Sequence, residues 1–382
     1  MNIKTSVSVG IDECTIVLMP TEKLDCLEWL DKAETMIQSF IEKSRLEVLY
    51  DKMVLTDRGI QKGYTNGLTV ENKPWYLCIS WHEDFSNMGV CIRYSAYSWA
   101  TYQTDFETRF DTKMDIATFL RMIQSGEYIT RLSRIDFVAD YKNFHRSVNP
   151  DVIYRGLKDN SIGIKDYKNR NMIRSKTALD KDGVYATIYL GSRKSNTRCF
   201  SRIYDKRLEQ IQTKGFRYDE AISCKSWIRQ EVVFKSTYAH QLTDELLTNI
   251  HTPYDLQTFI AQKITEKYRF YDKETLQFMK YTRALLAIVG NNQFNFLRSE
   301  KPQDNDLKRS INYIKKGSGL FPTLFKALSV WGDGADEELL KYLFEEYEKF
   351  YIDEALENKE ILTWLRKHSS TLKQYTLQEY LQ

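Results

Sequence analysis

The stretch R-I-D-F-V-A-D (Arg134 to Asp140) alternates charged and apolar residues with a period of two. In a strand, residues i, i+2 and i+4 share a face. Arg134, Asp136, Val138 and Asp140 therefore point one way, and Ile135, Phe137 and Ala139 point the other. Two later segments repeat the arrangement. In I-R-Q-E-V-V-F-K (Ile228 to Lys235), Arg229, Glu231, Val233 and Lys235 fall on one face, and in R-I-Y-D-K (Arg202 to Lys206), Arg202, Tyr204 and Lys206 do the same. Side by side, such strands gather two carboxylates, a tyrosine and several cations on one side of a sheet whose other side is mostly apolar. That inventory suits phosphodiester chemistry.

Working outward, Val7 to Leu18 reads as a strand ended by Pro20, and Thr21 to Lys43 has helical apolar spacing. Thr69 to Trp81 and Gly89 to Trp99 predict a hairpin, and Met114 to Ile123 a second helix. A polar crossover, Asn143 to Gly183, follows the Asp136 strand, with a weak helix near Pro150 to Leu157. Val184 to Leu190 and Arg198 to Asp205, joined by G-S-R-K-S-N-T, form the clearest hairpin, and a helical stretch is expected around Lys206 to Gln212. Beyond about His240 the pattern turns helical, and the stripe Leu339, Leu340, Leu343, Phe344, Tyr347, Phe350 and Tyr351 predicts core packing, with a partner-helix interface as the alternative. The expected fold is α+β: an antiparallel β-sheet catalytic domain with flanking helices over residues 1–240, then a mainly α-helical region over 241–382.

Bulk properties narrow the class. With 382 residues, 42% of them hydrophobic, the chain can bury a sizeable core. No run approaches the roughly 18 uninterrupted apolar residues of a membrane helix, and the opening residues lack a secretory signal, so a cytoplasmic location without membrane insertion is expected. The six cysteines show no metal-binding or redox spacing and read as reduced thiols. Five scattered histidines build no metal motif, and no phosphate-binding loop for ATP occurs.

The net charge of +3 conceals an asymmetry. Residues 131–240 hold 23 Lys/Arg against 12 Asp/Glu, so the remainder is acidic by 8. A basic centre in an acidic frame points either to a localised polyanionic partner or to a solvated cationic surface. Tyr185, Tyr189, Phe200 and Tyr204 interleave with Arg193, Lys194, Arg198 and Arg202, as in stacking platforms for unpaired bases.

Asp136 and Glu231 admit two readings. Hard oxygen ligands on neighbouring strands suit Mg²⁺ or Mn²⁺, while Arg134 and Arg229 could instead pair with them in a structural ladder. Asp140 lies about 13 Å along the strand from Asp136, too far for one ion to reach both readily. Tyr204 is one of 25 tyrosines, but it sits on the charged face beside Arg202 and Lys206. A phenol needs such charge, or a metal polarising the phosphate, to become an effective nucleophile.

At these residues the chain resembles the Rep_trans replication initiation factor family of rolling-circle plasmids and the related relaxases of integrative conjugative elements. The resemblance rests on R-I-D-F-V-A-D at Arg134, Y-L-G-S-R-K-S at Tyr189, S-R-I-Y-D-K at Ser201 and R-Q-E-V-V-F-K at Arg229, and it spans roughly residues 7–240. It implies a metal-dependent, site-specific single-strand DNA nickase that forms a 5′-phosphotyrosyl intermediate and frees a 3′-hydroxyl. Tyr204 then stands at the nucleophile's place with Arg202 beside it, and Asp136 and Glu231 stand at those of the Mg²⁺ or Mn²⁺ ligands. Arg193, Lys194, Arg198 and Lys206 are expected to contact DNA. Implied partners are a supercoiled replication or transfer origin with its single-stranded nick site, a host helicase and polymerase in the bacterial cytoplasm, and a second copy in a homodimer. A DNA-binding protein without catalysis and a metal nuclease using water are the alternatives.

Overall fold

The computed structural model describes residues 5–22, 24–50, 52–144, 148–172, 175–181, 183–194, 197–291, 294–298 and 307–381. Alternating sequences of the kind just quoted build a ten-stranded antiparallel sheet. Its strands are β1 (Ser6–Pro20), β2 (Met53–Leu55), β3 (Asn66–Val70), β4 (Leu77–Trp81), β5 (Val90–Tyr94), β6 (Tyr128–Lys142), β8 (Lys176–Lys181), β9 (Val184–Leu190), β10 (Cys199–Asp205) and β11 (Trp227–Lys235). A separate two-stranded ribbon pairs β7 (Ile162–Lys165) with β12 (Arg269–Asp272). The large sheet runs β2-β3-β4-β5-β1-β6-β11-β10-β9-β8, so the two longest strands lie side by side at its middle.

One face of the sheet is the core. Ile135, Phe137 and Ala139 of β6 and Val232 and Phe234 of β11 are fully buried there. Phe137 packs edge-on against Phe234 and against Phe259 of the helix Pro253–Lys267, with ring centres 5.5 and 6.0 Å apart. Each such ring contributes about 1.5–3 kcal/mol by leaving water. The helix Thr237–Thr248 adds Leu242 and Leu246 to the same layer.

The chain divides into two compact units, 1–298 and 299–382. The expected boundary near His240 therefore moves, because the helices after it carry apolar faces that belong to the sheet's core. In the second unit consecutive helices from Leu307–Lys316 to Leu377–Leu381 pack mainly on their chain neighbours. Among its described residues Ala327 is the one buried apolar side chain. The stripe expected to form core is instead exposed at Leu340, Leu343, Phe344, Tyr347, Phe350 and Tyr351, since no second layer of described residues within the unit covers it.

Other local differences have clear causes. The strand expected to reach Trp99 ends at Tyr94, because Ser95 accepts a hydrogen bond from Ser98 N and caps the helix Ala96–Phe110. Trp99, Tyr102 and Phe106 then recur at helical spacing into the core. The crossover 143–183 contains the expected helix, Pro150–Lys158, and also supplies β7 and β8. Five cysteines, Cys14, Cys78, Cys91, Cys199 and Cys224, are buried free thiols, while the side chain of Cys26 lies outside the described residues. Among the described residues no helix is long and apolar enough to cross a membrane.

Candidate active site

The opposite face of the sheet gathers the charged residues. Cross-strand register sets Arg202 opposite Glu231 and Tyr204 opposite Arg229 between β10 and β11. Between β11 and β6 it sets Arg229 opposite Asp140 and Val233 opposite Asp136. Asp136, Glu231, Arg202 and Tyr204 thus share one face of three adjacent strands, Glu231 beside Arg202, and Tyr204 in line with Asp140.

Burial makes this face unusual. Asp136 is 1% exposed, Glu231 0% and Arg229 2%. Charges so far from water must be paired to be tolerated. Arg134 donates to both oxygens of Asp136, at 2.8 and 2.6 Å. Arg229 donates to both oxygens of Asp140, at 2.7 and 2.8 Å, and also reaches Asp12. Arg229 is therefore not the partner of Glu231. That role falls to Arg202, whose Nη2 lies 2.6 Å from Glu231 Oε2.

Asp12 and Glu13 arrive through a β-bulge that the sequence reading did not foresee. Ile11 pairs with Phe137 and Cys14 with Ile135, so two residues of β1 oppose the single residue Asp136. The extra residue breaks the strict alternation and brings both neighbouring carboxylates to the charged face. Asp12 meets Arg229 there, and Glu13 meets Arg134 at 3.1 Å and Arg93 at 3.0 Å. Two acidic residues in succession, Asp12 and Glu13, in a strand that carries no other charge were the available signal.

These surroundings bias protonation. Burial pushes the Asp136 carboxyl well above its ordinary range, Arg134 pulls it down, and Glu231 and Glu13 add repulsion. Burial likewise raises Glu231, offset in part by the charge of Arg202. Burial alone would raise Asp140, but the charge and hydrogen bonds of Arg229 outweigh it and hold the carboxyl below its usual value. The Tyr204 phenol is pushed well up by burial, against the pull of Arg229 and Arg202. It is a neutral phenol in the free protein.

The helix Lys206–Thr213 and the helix Tyr218–Ser223 cover the Asp140 end of the face. Arg217 between them reaches Asp140 at 3.5 Å, and Ala221, Cys224 and Trp227 pack into a small cluster. Beside them a cavity of about 280 Å³ opens, lined by Thr187, Tyr189, Arg202, Tyr204, Leu208 and Gln212 among others. Tyr204 and Arg202 therefore border a space large enough for a nucleotide's phosphate and sugar.

The structure treats the expected DNA contacts differently. Arg193 and Lys194 are exposed in the β9–β10 loop, and the Arg193 guanidinium lies 4.5 Å from the centre of the Tyr189 ring. Arg198 is half-buried at the foot of that loop. Lys206 does not continue the strand as the alternation suggested. It starts the helix capped by Asp205, is 3% exposed, and pairs with Glu209 at 2.7 Å. Burial lowers its pKa, so it is a weak candidate for a phosphate contact.

A family model described as replication initiation factor, Rep_trans, matches residues 130–343, more than half of the chain. The chain belongs to the Rep_trans replication initiation factor family. In this initiation factor the matched segment contains all four blocks that suggested the resemblance, together with Asp136, Tyr204 and Glu231. It begins later than residue 7 and runs past residue 240 into the helical unit. The β1 bulge precedes it. A rolling circle replication initiator protein from Geobacillus stearothermophilus is 14% identical with a TM-score of 0.47, over 75% of this chain and 96% of that one. No curated protein matches the chain.

Replication initiation factors of this family generally use a divalent metal. Among the described residues no three His, Cys, Asp or Glu side chains form a ready-made cation cage. Such ions commonly take one or two carboxylates and leave the rest of the shell to water and substrate phosphate. Glu231 fits that role: it is fully buried, and its Oε1 makes no hydrogen bond. Asp136 lies on the same face of the next strand, β6, where burial first, and then the charges of Glu231 and Glu13, raise its carboxyl.

Proposed function

We propose that this initiation factor is a metal-dependent, site-specific DNA nickase whose nucleophile is Tyr204. The observation that carries the reading is that Arg202, which borders the 280 Å³ cavity beside Tyr204, also pairs across the strands with the buried Glu231, with Asp136 on the same face of the next strand. A single-stranded segment enters the cavity with Arg202 on a backbone phosphate and with bases against Tyr189. Tyr204 Oη attacks phosphorus, and a phosphorus–oxygen ester bond to Tyr204 forms as the bond to the 3′-oxygen breaks. Net, the phenol proton passes to that oxygen, leaving a 3′-hydroxyl and a 5′-phosphate attached to the protein. A divalent cation held by Asp136 and Glu231 would supply positive charge to the phosphate oxygens.

Cationic side chains close by serve the same end. Arg229, buried opposite Tyr204 and fixed by Asp140 and Asp12, lends its charge to the phenolate as it develops, without moving. Arg193 and Lys194 in the neighbouring loop hold flanking phosphates. The substrate is a replication origin or a transfer origin in supercoiled form within a bacterial cytoplasm. The 3′-hydroxyl then primes a polymerase while a helicase unwinds, and the helical unit reads DNA or pairs two copies.

The test is incubation with negatively supercoiled DNA carrying the source element and Mg²⁺ or Mn²⁺, followed by denaturing analysis for protein on a 5′ end. An adduct in wild type that is absent in Tyr204→Phe supports the proposal. A nick without an adduct points to a nuclease using water, and tight binding without a nick under either metal removes the enzymatic reading.

A further inference from the structure

Arg202 takes part in two places at once. Its guanidinium contacts Glu231 at 2.6 Å, and the side chain, 37% exposed, borders the cavity beside Tyr204. The pairing is incomplete on both sides. Glu231 Oε2 meets Arg202 Nη2, but Glu231 Oε1 makes no hydrogen bond and the buried Nε of Arg202 finds no acceptor. Buried polar atoms left short of partners cost free energy, so each member retains capacity for a better partner. Asp136 differs, because Arg134 saturates both its oxygens and is itself held by Glu13 at 3.1 Å.

We propose that Arg202 is an exchangeable latch on Glu231: a backbone phosphate entering the cavity draws the guanidinium away, and the freed carboxylate then takes the divalent cation. The inference rests on the nickase reading and deepens it. Arginine suits the exchange because its planar fork matches phosphate as well as carboxylate. The opening in front of Arg202 gives the phosphate access, whereas Glu231 does not line it and is fully buried behind the ion pair. Phosphate and cation then bind with positive coupling, and by linkage each strengthens the other by the same factor. In free protein the latch competes with the cation, so the metal site is complete only with DNA in place.

The experiment measures Mn²⁺ binding to the full chain by the electron paramagnetic resonance of unbound Mn²⁺. The parent protein carries Tyr204→Phe to prevent cleavage, and a short single-stranded oligothymidylate serves as the phosphate probe. Without oligonucleotide, adding Arg202→Gln is expected to tighten Mn²⁺ binding about tenfold, within the usual range of coupling between sites. Oligothymidylate is expected to tighten Mn²⁺ binding to the parent by about the same factor, and by less in Arg202→Gln. Arg202→Lys keeps the charge but loses the fork, and is expected to fall between the two; it carries the test if Arg202→Gln does not fold. Equal Mn²⁺ affinity of the parent and the Arg202 variants without oligonucleotide overturns the latch. If Glu231→Gln abolishes binding in that case, the cation site stands and the latch alone falls. Absence of Mn²⁺ binding in every protein, with or without oligonucleotide, overturns both.

Discussion

Arg229 and Asp140 face each other across β11 and β6, joined by two hydrogen bonds of 2.7 and 2.8 Å in a region sealed from water. The pair is the fixed point of the charged face, since Asp12 and Arg217 attach to it and Tyr204 lies opposite Arg229 on the other side. Removing one member leaves the other charged and buried. Arg229→Met is therefore expected to cost about 3–5 kcal/mol of stability, read as a lower midpoint in urea unfolding of the full chain. A change under 1 kcal/mol would show that the pair is not isolated from water as its burial indicates.

The core face offers a comparison of similar size from a different cause. Phe137→Ala removes a ring packed between Phe234 and Phe259. The cavity left behind should cost about 3–5 kcal/mol. Urea unfolding should show the same loss at high and low salt, whereas the Arg229 variant changes the charge balance of the face.

Asp136 is expected to oppose stability while serving chemistry. Its folded pKa is raised, first by burial and then by Glu231 and Glu13. The folded state therefore binds a proton more readily than the unfolded one. Stability from this group is fully present below the unfolded value of about 3.9 and is lost as pH rises through the folded value. Asp136→Asn should then raise the thermal midpoint at neutral pH, with the advantage over wild type shrinking as pH falls. In the same variant, adduct formation should drop by about a hundredfold or more, the scale seen when a preorganised charge is lost. A neutral-pH midpoint below that of wild type would contradict the raised pKa.

Arg193 and Lys194 should act on DNA affinity alone. If about six phosphates are contacted on single-stranded DNA, log K against log salt should slope near −4. Replacing both residues with alanine should flatten the slope by about 1.4, uniformly across DNA sequences. Fluorescence anisotropy over a salt series reads this directly, and an unchanged slope would place the phosphate track elsewhere.

Much of this protein was legible because strand alternation is local. The period of two in Arg134 to Asp140, Arg202 to Asp205 and Ile228 to Lys235 determines which side chains share a face, whatever the neighbours are. Hence the apolar and charged faces, the strand at Val7 to Leu18 and the β9–β10 hairpin could be read from the chain. Lys206 escaped that logic because Asp205 caps a helix at the next residue. The helices after His240 were visible as helices, but what they cover was not, since helical periodicity shows an apolar side without identifying its partner.

What only the tertiary structure decided is register. Nothing in the order of residues states that Glu231 lies opposite Arg202, or that Tyr204 lies opposite Arg229. Those pairings depend on hydrogen bonds between strands remote in sequence, and a slip of one residue would turn every side chain to the other face. The bulge at Asp12 and Glu13 exists only through the pairing of β1 with β6. Alternation by itself assigns those two carboxylates to opposite faces, and it is the extra residue against Asp136 that brings both to the charged side.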